Sequence, residues 1–184
     1  LSPFTLVVGA LGFAMCMAAG AAWVALKTER TSAVHGRAEK QRRVWHVVVL
    51  VLFVVATVLA FAVVKPQFAP GMLVAGAIFA IAFVVCIAAS IAQAKKGNDL
   101  AAFVLQSIAA VCLVALAAVS LFPNLVVAAP GSVGEPITLM NAASSDTSLA
   151  WMTGIACIGV PLVLVYHVIA YRVFRGRLAE EDVA

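Results

Sequence analysis

Residues 47–55 read VVVLVLFVV, an unbroken apolar run with neither the alternation of a half-buried strand nor the polar stripe of a surface helix. A helix that is apolar all round is one surrounded by lipid and by other helices. Working outward, the apolar stretch extends over about 44–64. That is long enough to cross a hydrocarbon core of roughly 30 Å, which takes about 20 residues. Four further stretches, at about 4–26, 71–94, 100–121 and 149–174, meet the same test. So bounded, none of the five contains Asp or Glu. Transmembrane β-strands would need ten-residue segments of strict alternation, about the length of a barrel wall, and these runs have none. The expected fold is all-α: a single polytopic domain over 1–184 with five transmembrane helices.

Composition leads to the same class. Of the 184 residues, 65% are hydrophobic and 11% charged, and the mean hydropathy is +1.12. A soluble body of this size has too much surface to hide that excess, and disorder needs the opposite balance. With 12 Gly and 4 Cys, collagen-like and disulfide-framework chains are excluded as well. The first apolar stretch is too long for a signal peptide and no basic segment precedes it. Leu1 stands where a Met would begin a chain, so an upstream segment is expected.

The basic residues alternate between connections. Six lie in 27–43, Lys95 and Lys96 form the third connection, and Arg172, Arg175 and Arg177 follow the fifth span; the other two connections hold only Lys65. The positive-inside rule then places the N-terminus outside and the C-terminus in the cytoplasm, as an odd number of spans requires. The same placement accounts for the net charge of +4 through membrane ends and anionic headgroups. No aromatic-and-basic platform accompanies it, so nucleic acid is not an expected partner.

The outer connection at 128–147 is rich in Pro, Gly, Ser and Thr and is read as a cap over a site or as a surface excursion. Gly9, Gly12, the run from Ala18 to Ala22, Gly71 with Ala75 and Gly76 with Ala80 place small side chains where helices in lipid approach closely. Pro161 removes a hydrogen bond to the carbonyl of Cys157 and is expected to kink the fifth helix.

Ionisable groups inside a bilayer are the usual marks of function, and this chain offers few. His167 is the first candidate, for haem ligation or proton relay. Its place near a helix end, beside Tyr166 and Tyr171, favours a hydrogen bond to a neighbour. His46 reads as an interface anchor next to Trp45, and His35 as a solvated loop residue. Gln106 is expected to bond across helices. Met15, Cys16 and Met17 point about 100° apart and cannot converge on one metal. The four cysteines sit in four different spans without zinc or iron–sulfur spacing. With no carboxylate expected inside the membrane, proton pumping by this chain is not expected.

Four segments, in order and spacing, resemble subunit II of the cytochrome bd-type quinol oxidases: WVALKTE at 23–29, LFPNL at 121–125, ITLMNAASSDTSLAWM at 137–152 and VPLVLVYHVIAYRVFRGR at 160–177. Trp23, Asn124, Asn141, Ser145, Pro161 and Arg175 carry the likeness, in structural roles without catalysis. It covers most of this chain but only the C-terminal half of that subunit. The resemblance implies a bacterial inner-membrane complex that oxidises quinol on the outer side and reduces dioxygen to water with protons from the cytoplasm. It implies b-type and d-type haems, and the quinol loop, in a partner, subunit I, with no cofactor on this chain. It also implies a share for subunit II in assembly, proton access and lipid or quinone binding. The family's early Gly–Phe–Asp-type motif and intramembrane carboxylates are missing here, and the outer loop is longer and richer in Gly and Pro than the family pattern. A secondary-transporter half, with a substrate site at the midplane, and a membrane scaffold without redox role are the rival readings.

Overall fold

Local capping chemistry sets where the helices begin. Ser2 accepts the Thr5 N–H at 3.2 Å, and Pro3 opens helix α1 (Pro3–Lys27), the position where its missing N–H costs nothing. Ser32 accepts the Val34 N–H at 3.1 Å ahead of α2 (Ala33–Leu59), which continues as a π-helical turn at Ala60–Val64. Gly71, at φ 85°, precedes α3 (Met72–Lys95). Asn98 accepts the Ala101 N–H at 3.2 Å to open α4 (Asp99–Leu121). Between α3 and α4 the chain reverses through Gly97 at φ 77°. A side chain there would meet the Arg30 guanidinium at 2.8 Å, so glycine serves both the left-handed backbone and the approach of Arg30. Strands β1 (Asn124–Val126) and β2 (Ile137–Thr138) pair antiparallel, and α5 spans Asp146–Val173.

The structure is a computed structural model that describes residues 2–64, 71–122, 124–126, 137–138, 142–173 and 176. They fall into two compact units, one carrying α1–α4 and the other β1, β2 and α5. All five helices are long and apolar enough to cross a membrane, so the chain is an all-α, multi-pass membrane protein.

In the first unit α1 lies against α2 and α4, and α3 against α4 and α2. Helices α2 and α4 therefore face one another across the interior. The inner stripe of α1 is mostly alanine, with Ala14, Ala18, Ala22 and Ala25 buried, which lets backbones approach in lipid. Of the small residues expected in that role, Ala18, Ala22 and Gly76 are buried, but Gly9 and Gly12 lie on open surface. The interior is closed by Leu11, Met15, Val49, Phe53, Phe83 and Ile87. The Phe53 and Phe83 rings meet at 4.6 Å between centroids.

Two expectations need correction. Helix α2 begins at Ala33, not near residue 44, so most of the basic connection is helical. Hydropathy registers only the part in lipid, whereas the helix continues as long as one face stays packed. His35, Ala38, Arg42, His46, Val49, Phe53 and Ala56 are all buried along it. His35, expected to be solvated, is buried and donates through Nδ1 to the Ala25 carbonyl, 3.0 Å away. In the second unit α5 begins at Asp146, with the Ser148 N–H donating to the Ser145 hydroxyl at 3.4 Å. Of the outer connection at 128–147, residues 128–136 and 139–141 lie outside the described residues; β2 and the start of α5 are the parts described.

Candidate functional site

The stripe that faces inward on α2 brings Arg42 and His46, one turn apart, into the interior, and the stripe on α4 brings Asp99 and Gln106. These four make a polar column between the facing helices. At the end nearest the α3–α4 turn, Arg42 Nη1 donates to Asp99 Oδ1 at 3.4 Å, and both side chains are only 2% exposed. Asp99 Oδ2 lies 3.6 Å from Nη2 of Arg30, whose side chain is half exposed. Deeper in, His46 Nε2 donates to Gln106 Oε1 at 2.8 Å, and the Gln106 amide donates to Met15 Sδ at 3.7 Å. Nearby, the buried Ser90 hydroxyl donates to the Ala102 carbonyl at 2.7 Å.

Each contact satisfies a group whose exposure to hydrocarbon would otherwise be costly. A neutral cross-helix bond in a membrane stabilises by about 0.6 kcal/mol on average; the buried ion pair is the higher-stakes element, because either charge alone is expensive. Asp99 also sits in the first turn of α4, where the helix dipole favours an anion. Among the described residues Arg42 Nη2 is buried and has no hydrogen-bond partner.

Two recesses open at this end of the unit. A cleft of about 240 Å³ is lined by Arg30, His35, Glu39, Ala94, Lys95, Gly97 and Asp99. A narrower one, about 10 Å³, is bounded by Glu39, Arg42, Arg43, His46, Ile91, Ala94 and Lys95. Glu39 accepts from Arg43 Nη2 at 3.2 Å. Ordinary cofactor pockets run from about 300 to 1,000 Å³, more than either recess offers, and His35 and His46 each spend a ring nitrogen on a neighbouring helix, so these two histidines do not fit a haem.

The residues singled out in the sequence are scattered. Gln106 belongs to the column. Trp23 packs on Phe103 at 5.3 Å between ring centroids, with the Lys27 ammonium 5.2 Å from its own ring. Asn124 lies in β1. Ser145 stands exposed ahead of α5, and α5 continues through Pro161. His167 is exposed on α5; its Nδ1 lies 2.8 Å from the Val163 carbonyl one turn back, and its ring is flanked by Tyr166 and Tyr171. Asn141 and Arg175 lie outside the described residues.

Two readings change. His46 is a buried partner of Gln106 rather than an interface anchor. Asp99, just outside the apolar count, is a buried carboxylate where none was expected. The cysteines are free thiols, each on a different helix, with Cys86 on α3 and Cys112 on α4 both partly buried. Arg30, Arg42 and Asp99 were the residues sequence reasoning missed. The available signal was register: Arg42 and His46 continue, at intervals of three and four, the stripe on which Val49, Phe53 and Ala56 are buried.

A sequence model of the family described as cytochrome bd terminal oxidase subunit II matches residues 1–174. Subunit 2 of the cytochrome bd-I ubiquinol oxidase of Escherichia coli strain K12 is 30% identical over 94 residues, which are 51% of this chain and 24% of that protein. Its counterparts in the strains CFT073 and O157:H7 give the same figures. The chain thus spans about a quarter of the length of the curated relatives it matches.

Proposed function

The chain belongs to the cytochrome bd terminal oxidase subunit II family, and we propose that it forms the C-terminal half of that subunit in a quinol oxidase of the bacterial inner membrane. In this reading it packs against the haem-bearing subunit I and supports its assembly, while the b-type and d-type haems lie in the partner. The complex oxidises quinol and passes the electrons to dioxygen, which leaves as water. The family match over 1–174 is the observation that carries the proposal. Among the described residues, alanine packing, the Arg42–Asp99 ion pair and the His46–Gln106 bond support a role in holding helices together.

Purification through a tag on this chain is expected to bring down a partner with b- and d-type haem bands in the visible spectrum. Haem-free material from cells that assemble the oxidase would defeat the proposal and favour a scaffold. Pro161→Ala is expected to lower the yield of complex while leaving turnover per haem nearly unchanged. Full yield with lost turnover would contradict the assembly role.

The orientation is proposed on the charges: N-terminus outside, C-terminus in the cytoplasm. Six of the basic residues fall in 27–43, on the connection and the first turns of α2, and the positive-inside rule retains such segments. A cysteine placed at exposed Arg37 should resist a membrane-impermeant maleimide in intact cells and react once the membrane is opened. Labelling in intact cells would reverse the topology.

A further inference from the structure

We draw no further inference here: the strongest candidate, the Tyr166–His167–Tyr171 ring cluster on the exposed face of α5, lies on an apolar helix surface, and nothing in the structure shows what covers it.

Discussion

Asp99→Asn should lower the melting temperature of the detergent-solubilised chain by roughly 10 °C, the largest effect expected of any single substitution in the first unit. The change keeps the size of the side chain and the Asn98 cap of α4, and removes only the charge. Arg42, itself 1% exposed, then holds a buried cation with no anion opposite it. Breaking a buried pair from one side costs about 3–5 kcal/mol, and each kcal/mol moves a chain of this length by about 2–4 °C. Arg30 does not rescue the loss: it carries the same sign as Arg42, and its half-exposed contact with Asp99 is the kind that contributes little. The complementary double change, Arg42→Met with Asp99→Leu, should recover most of the stability, since replacing both partners by apolar groups is often neutral. A melting curve for Asp99→Asn that overlays the parent would show the pair to be solvated.

Phe83→Ala should cost about 2–3 kcal/mol in the same melting experiment. Phe83 is fully buried and meets Phe53 at 4.6 Å. In a soluble core this truncation costs about 3–5 kcal/mol, part from transfer out of water and part from the cavity left behind. In detergent or lipid the transfer part largely disappears, because the unfolded helix still has apolar surroundings, and the lost packing remains. Phe83→Leu, which refills most of the space, should lose less than half as much. Equal losses for Ala and Leu would mean that the ring contact, not the volume, is what α3 supplies.

Much of the architecture was legible because the bilayer imposes a simple requirement. With no water to satisfy backbone groups, a spanning segment must be a helix, and its length follows from the thickness crossed. The four spans at about 4–26, 71–94, 100–121 and 149–174 accordingly fall within a few residues of α1, α3, α4 and α5. The exception was α2. Its first three turns are too polar to register as a span, and their helicity is maintained by the tertiary contacts of His35, Ala38 and Arg42.

The polar column was harder to see for the opposite reason. Hydropathy treats Arg42 and Asp99 as the polar edges of two spans and stops there. Whether such a residue points to solvent or to the interior is a matter of helical phase, and phase has meaning only once the packed face is known. Glycine misled in the same way. Gly9 and Gly12 have the size a close helix contact needs, but they lie on the open side of α1; the contact is lined by Ala18 and Ala22, from the run expected there, together with Ala14 and Ala25.

The residues alone determined that this chain crosses a membrane five times, where most of its spans run, and which family it resembles, because hydrophobic length, the distribution of Lys and Arg, and short signature segments are local properties of the chain. The tertiary structure decided which polar groups meet. Arg42 and Asp99 are 57 residues apart and His46 and Gln106 are 60 apart. No local rule couples positions at that distance; they are joined because α2 and α4 turn their polar stripes toward the same interior, where each buried group must find a partner within reach.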